Sequence, residues 1–284
     1  MTAVTRTEAP ATNRSASEVF SRVIVGVDES AQSREAVRQA ARLMDGRGYL
    51  ELLAAYEVVY PAAVTGMTIA AYTEDYAEMY KEAASGALER ARSSAERDDV
   101  VGKVVKQRPA HALLEEAARE RATLIAVGSH GRGRTAGILL GSVATEIIHR
   151  APCSVLIARK ELRGVLRTIV VGVDGSAESA AAYAAASELA ERAEAELWPV
   201  VGHGGKPVDR AALDALISRR EDLPDDPVKA LVAASADADL LVVGSRGLHG
   251  LQALGSVSER VAHEARCSTL IVREPHWPDT EEEA

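Results

Sequence analysis

Aromatic side chains are scarce in this 284-residue chain: seven Tyr, two Trp and one Phe, Phe20. A core so poor in rings must be filled by Ala, Val, Leu and Ile, which favours tightly packed helix-on-sheet layers. Cysteine is rarer still. Cys153 and Cys267 are too few for a disulfide framework, and no Cys pair has metal-binding spacing. Both read as small buried hydrophobes at the start of strands. No run of 18 apolar residues exists, so no segment reads as a membrane-spanning helix. The opening "MTAVTRTEAPATNRSASE" has no continuous apolar stretch, which argues against a secretory signal and for a disordered tail. Positive charge is in deficit as well: 33 Lys and Arg against 42 Asp and Glu leave a net −9. With no basic stripe to offset this, a nonspecific grip on nucleic acid is not expected. The expectation is a cytoplasmic protein without membrane or nucleic-acid partners.

What is present is a repeat. "SRVIVGVDESAQSREAVRQAARLM" from Ser21 returns as "RTIVVGVDGSAESAAAYAAASELA" from Arg167. "ATLIAVGSHG" from Ala122 returns as "ADLLVVGSRG" from Ala238, and "LGSVATEIIHRAPCSVLIARK" from Leu140 as "LGSVSERVAHEARCSTLIVRE" from Leu254. Three blocks in one order mark a tandem duplication. Asp28 and Asp174 are 146 residues apart, Gly128 and Gly244 116, Cys153 and Cys267 114. The second copy has therefore lost 30 residues between its first two blocks and two more inside the glycine loop. The division that follows is a tail at 1–19, a first domain at 20–160, a linker at 161–166, a shortened second domain at 167–273 and an acidic tail at 274–284.

Within copy one, short β-branched runs alternate with helical periodicity. Strands are expected at "VIVGVD", "YLELLAAYEV", "VVGKVVKQ", "TLIAVG" and "CSVLIARK". Strict βαβα alternation predicts an α/β fold: a doubly wound, Rossmann-like parallel sheet of order 3-2-1-4-5 in each copy. Copy two keeps strands one, two, four and five. Its loss falls on strand three, an edge strand whose removal spares the inner ones.

The stretch "GSHGRGRT" (128–135) nearly spells a P-loop but puts Arg134 where Lys is required, and "AGILLG" delays the helix. The "GRG" at 131–133 misses the dinucleotide pattern because Gly137 comes one residue late. What the spacing does give is G-x2-G-x9-G-[ST], with Gly128, Gly131, Gly141 and Ser142. Such glycines let main-chain N–H groups approach an anion, and a helix opening at Ser142 points its positive end at a phosphate.

These features together, with the Asp after strand one and the "APCSVLIA" ending, resemble the universal stress protein family in its tandem two-domain form, over residues 20–159 and 167–273. The loop pattern is similar to that of the family's ATP-binding branch. The resemblance implies ATP as ligand, with Mg²⁺ accompanying it. Gly26, Val27 and Asp28 would face the adenosine, and Leu53 would offer its backbone to the adenine edge. Gly128, Ser129, His130, Gly131 and Arg132 would line ribose and phosphates, and Gly141, Ser142, Val143 and Ala144 would hold the phosphates. The family usually has Ser or Thr where Ala144 stands. A weaker second site would use Gly172, Val173, Asp174, Gly244, Ser245, Arg246, Gly247, Gly255, Ser256, Val257 and Ser258, but with spacing G-x2-G-x7-G-S. The family also pairs its fifth strands antiparallel. In a tandem chain this becomes an internal pseudo-dimer, with a homodimer of whole chains as a further assembly.

Each residue has a plainer reading beside this one. Asp28 and Asp174 can serve as helix N-caps, as can Ser142 and Ser256, and "SVSE" from Ser256 is a capping box. Trp198 aligns with Leu53 and would fill or stack on the adenine slot of copy two. Apart from His130 in the loop, the histidines have no metal spacing, and no residue set looks like a nucleophile with its base. The expected function is a nucleotide-responsive regulator of the stress response with one competent site, in copy one, and no catalytic residues. The alternatives are a nucleotide-free interaction scaffold and a slow ATPase or other adenine-nucleotide enzyme.

Overall fold

The computed structural model describes residues 20–44, 46–58, 69–131, 140–159, 161–162, 164–201, 221–222, 226–245 and 256–277. The first copy runs β1 (Arg22–Val27), α1 (Ala31–Leu43), β2 (Tyr49–Tyr56), α2 (Ile69–Arg92), β3 (Val100–Lys106), α3 (Pro109–Glu120), β4 (Leu124–Gly128), α4 (Ser142–Arg150) and β5 (Ser154–Ala158). The second runs β6 (Thr168–Val173), α5 (Ala177–Ala193), β7 (Glu196–Val201), β8 (Glu221–Asp222), α6 (Pro227–Ala234), β9 (Leu240–Gly244), α7 (Ser256–Glu264) and β10 (Ser268–Val272).

All ten strands form one sheet, ordered β3-β2-β1-β4-β5-β10-β9-β6-β7-β8. Each half is parallel and reads 3-2-1-4-5. The halves meet antiparallel through β5 and β10, with Leu156 opposite Leu270. The internal pseudo-dimer expected from the fifth strands is thus present. Of the reduced edge unit, the described residues show β8, Glu221–Asp222, paired beside β7.

Val23, Ile24 and Val25 are consecutive and all fully buried, as in a parallel sheet covered on both faces. One face packs Val25, Leu52 and Leu156 against α1, α2 and α5. The other packs Ile24, Leu53, Ile125 and Ile271 against α3, α4, α6 and α7. Each layer continues across the β5–β10 junction, so the two copies share both cores. Cys153 and Cys267 are fully buried at the strand starts, and burial pushes the Cys153 thiol up to about 12. Such a thiol stays protonated and behaves as a small hydrophobe.

The chain between the copies is laid against α1. Leu162 N–H donates to the buried Glu35 Oε1 at 2.9 Å, and Arg42 Nη1 donates to the Gly164 carbonyl. The segment after β10 begins docked, while the acidic end "DTEEEA" expected to be a solvated tail lies outside the described residues. His276 N–H donates to Pro152 O at 2.9 Å, and Trp277 packs on the second core layer. An indole next to an apolar layer gains more from burial than the flanking charges gain from solvent.

Candidate functional site

In a 3-2-1-4-5 sheet the strand order reverses between β1 and β4, and a crevice opens beyond their carboxyl ends. Here that crevice is a cleft of about 250 Å³. One wall is apolar: Val27, Leu53, Ala55, Leu113 and Val127, with Pro109 at the rim. The other is polar: Asp28, Ser30 and Ser33 face the backbone of His130, Gly131 and Gly141 to Ala144.

Asp28 follows β1 and turns the chain into α1. Its Oδ1 accepts from Ser30 N–H at 2.9 Å and from the Ser30 hydroxyl, and its carbonyl accepts from Ser33 Oγ at 2.8 Å. Ser30, not Asp28, is the N-cap of α1, accepting from Ser33 N–H. Copy two repeats the device: Asp174 Oδ1 accepts from Ser176 N–H at 3.0 Å, and Ser176 caps α5. The capping role expected of both aspartates falls two residues later because the carboxylate is engaged in an Asx turn that presents the serine.

The glycines are set by close approach. A Cβ on Gly128 would sit 2.8 Å from the Gln32 carbonyl carbon and 3.0 Å from Ser33 N, so β4 ends in contact with the start of α1. A Cβ on Gly244 would overlap the Glu178 carbonyl in the same way. These two positions are explained by helix-on-strand packing. Gly131 is different: its Cβ would lie 2.5 Å from Asp28 Oδ2, so what it permits is approach of the loop to a carboxylate in the cleft. Ser129 lies beneath, fully buried; its N–H donates to Ala158 O at 2.7 Å and its carbonyl accepts from Gly141 N–H at 2.8 Å. The second bond joins the two ends of the loop at 129 and 141, and the first anchors Ser129 to the end of β5.

Helix α4 starts at Ser142 with Gly141 as N-cap (φ −69°, ψ 162°), a residue with no side chain to cap the first turn. Ser142 was expected as a cap; it is the first helical residue instead. Among the described residues the opening amides of α4 therefore have no side-chain cap, a state shared with α3, whereas α1, α5 and α6 are capped by Ser30, Ser176 and Asp226. Uncapped amides at the positive end of a helix are a seat for an anion.

Of the residues expected in copy one, Gly26, Val27, Asp28, Leu53, Gly128, His130, Gly131, Gly141, Ser142, Val143 and Ala144 line the cleft. Ser129 supports it from below, and Arg132 lies outside the described residues. In copy two, Arg246, Gly247 and Gly255 also lie outside them. Gly172, Val173, Asp174, Gly244, Ser245, Ser256, Val257 and Ser258 stand at the corresponding strand and helix ends. Ser258, at the position of Ala144, donates its hydroxyl to the Gly244 carbonyl at 2.7 Å.

The placement of Trp198 needs correcting. Leu53 pairs with Gly26 across β1, and the residue paired with the equivalent Gly172 is Val200. Trp198 pairs with Val170 and so matches Glu51, two residues short of the slot, where it is 42% exposed. The sequence comparison went astray because neither β2 nor β7 carries a marker residue.

Sequence reasoning also missed Pro109 and Leu113, which wall the cleft from α3. Leu113 Cδ1 lies 2.8 Å from where a Cβ on Gly26 would be, and Leu231 stands likewise against Gly172 at 3.2 Å. The signal was a fourth repeat, "PAHAL" at Pro109 and "PVKAL" at Pro227, hidden by its separate offset of 118.

One layer below Leu53 lies a polar cluster. The carboxylates of Glu51, Glu116 and Glu120 come within 4.8 Å of one another. Lys103 and Arg119 both bond Glu116, and Arg22 reaches Glu120 at 3.3 Å. The three cations pair with Glu116 and Glu120. Glu51 is 1% exposed; its Oε2 accepts from Tyr49 Oη at 2.7 Å, and its Oε1 has no hydrogen-bond partner. Burial raises its pKa against the Tyr49 bond, and Glu116 raises it further. Burial also pushes Glu116 up, but Arg119 and Lys103 reverse this and hold it at about 2.

Comparison with known proteins follows this geometry. The family model described as "Universal stress protein family" matches residues 20–159 and 205–273. Universal stress protein Rv2623 of Mycobacterium tuberculosis is 29% identical over 292 residues, covering 89% of this chain and 96% of its own. Universal stress protein Mb2028c of Mycobacterium bovis is 34% identical over 184 residues, 54% of this chain and 62% of its own. A crystal structure of a universal stress protein from Archaeoglobus fulgidus superposes with TM-score 0.65 at 19% identity, over 92% of this chain and 99% of that one. With a family model across both copies and relatives aligned along nearly its whole length, this chain belongs to the universal stress protein family, in the tandem two-domain form.

Proposed function

We propose that copy one binds ATP in the cleft between β1 and β4, and that the protein acts as a nucleotide-responsive regulator of the stress response. The observation that carries this is the uncapped start of α4 facing Asp28 and Gly131 across a slot with an apolar wall. A flat, mostly apolar base suits Val27, Leu53 and Leu113; a polyphosphate suits the amides of Ser142, Val143 and Ala144. Asp28 is the one carboxylate lining the cleft among the described residues, and Mg²⁺ bound with the nucleotide would be held from there. The cleft offers no paired base and nucleophile, so hydrolysis should be slow. Occupancy acts by favouring one arrangement of α4 over another.

Copy two is read as non-binding. Its loop is two residues shorter, its third strand comes to Glu221–Asp222 among the described residues, and the Ser258 hydroxyl is turned back to the strand end. Equilibrium titration of protein stripped of small molecules tests both statements. One ATP per chain is expected. Two equivalent sites would reinstate copy two, and no uptake at millimolar ATP would leave the scaffold reading in its place.

A further inference from the structure

Arg159 and Arg273 stand directly after β5 and β10, 114 residues apart like the rest of their blocks. Each crosses the junction to the last turn of the other copy's helix. Arg273 Nη1 donates to Ala151 O and Nη2 to Ile148 O, both at 2.6 Å, at the carboxyl end of α4. Arg159 Nη2 donates to Ala262 O at 2.7 Å and His263 O at 3.3 Å, at the carboxyl end of α7. The main chain of Arg273 is fixed too, exchanging hydrogen bonds with Ser154 Oγ at 3.2 Å in each direction.

Arg273 is 4% exposed, and its side-chain bonds go to carbonyl oxygens alone. Burying a guanidinium without a carboxylate is costly. The compensation here is the negative end of a helix, where free carbonyls gather partial charge. That helix is the nine-residue α4, whose opposite end lines the cleft. A rod this short turns as one body, so what fixes its last turn also fixes its first amides. A polar tie between α4 and α7, His149 Nε2 to Glu259 Oε1 at 3.1 Å, is partly exposed and more strongly screened.

We infer that Arg273, supplied by copy two, is a positioning residue for the anion seat of copy one. It holds α4 from behind so that the amides of residues 142–144 stay aimed across the cleft at Gly131 and Asp28. This gives the second copy a task in the binding site that needs no ligand of its own. The inference rests on the nucleotide reading above.

The test uses the full chain and reads ATP affinity by titration beside stability by urea unfolding. Arg273→Met is expected to weaken ATP by about fivefold or more, in the range of ordinary coupling between sites. Arg159→Met removes the matching bonds from α7, and is expected to lower stability comparably while leaving ATP affinity unchanged. Arg273→Lys, which keeps the charge and one donor, should recover part of the loss. Faster hydrogen exchange at residues 142–145 in Arg273→Met, but not in Arg159→Met, is expected alongside. If Arg273→Met does not fold, the pair Arg273→Lys and Arg159→Lys decides the same question. Equal weakening by both members of a pair, or wild-type affinity in the Arg273 variants, overturns the inference alone. Failure of the wild type to bind ATP overturns the nucleotide reading, and this inference with it.

Discussion

Single side chains in this protein divide by whether they serve the fold or the cleft, and the glycines show how. Gly128 and Gly244 face the main chain of the helix that packs on their strand, where nothing flexible can yield. Alanine at either position should cost about 1–3 kcal/mol, the usual price of overpacking a rigid contact. Urea unfolding checks this, and Gly244→Ala, whose Cβ would overlap the Glu178 carbonyl oxygen, should be the more destabilised although only Gly128 borders the cleft. The Glu51–Glu116 pair offers a second test through pH. Glu51 has a raised folded pKa, so its contribution is full below the ordinary value of 4.5 and fades as pH rises through the folded value. Glu116 sits at about 2, so its contribution is full above 4.5 and fades as pH falls toward 2. A proton on Glu51, donated toward Glu116, would satisfy the otherwise unpartnered Oε1. Glu51→Gln should mimic that state, gaining stability relative to the wild type as pH rises above 4.5. Glu116→Gln, which loses Lys103 and Arg119, should cost more at pH 7 than at pH 3. Parallel pH profiles for both variants would remove the shared-proton account.

Elements carry the next level, and α4 is the informative one. Gly141 gives its first turn no side-chain cap, while its backbone is already in the extended conformation that Asp adopts at an N-cap. Gly141→Asp should therefore stabilise the protein by no more than a few tenths of a kcal/mol, since Gly is itself a fair N-cap and a Cβ there would sit 3.3 Å from His130 Cα. The same carboxylate takes the seat meant for a phosphate and repels it, so ATP affinity should fall at least tenfold. Opposite signs for stability and binding are what an anion seat predicts; a purely structural helix start would show the stability gain alone. Elements were also the level most legible in the sequence. Buried strands such as "VIVGV" and "LIAVG" are continuous apolar runs, and α3 announces itself with Pro109, so existence and order follow from periodicity and breakers. The cleft was legible where glycine spacing and helix starts coincide. It was not legible where a wall residue is an ordinary leucine, as with Leu113, or where register decides, as with Trp198 and Val200. A parallel register is set by pairing across β6 and β7, and no local pattern in β7 records it.

At the scale of the whole molecule the two copies behave as one body by construction. Both core layers pass through β5 and β10, Leu162 and Leu166 are buried in the connection, and Arg192 of α5 donates to Leu43 O and Met44 O at the end of α1. No separate surface is left along which the halves could part without exposing apolar strands. Unfolding of the full chain should then be a single transition, seen alike by circular dichroism and by the fluorescence of Trp198 and Trp277. Neither tryptophan lies in copy one, where the nucleotide is proposed to sit. ATP at a hundred times its dissociation constant should nonetheless move the fluorescence transition together with the dichroism, by about 2.7 kcal/mol of stabilisation. Two resolved transitions, with only the first responding to ATP, would mean that copy two is a passenger rather than the back wall of the site. A single shared shift is the result that a continuous sheet, common cores and a cross-copy hold on α4 require.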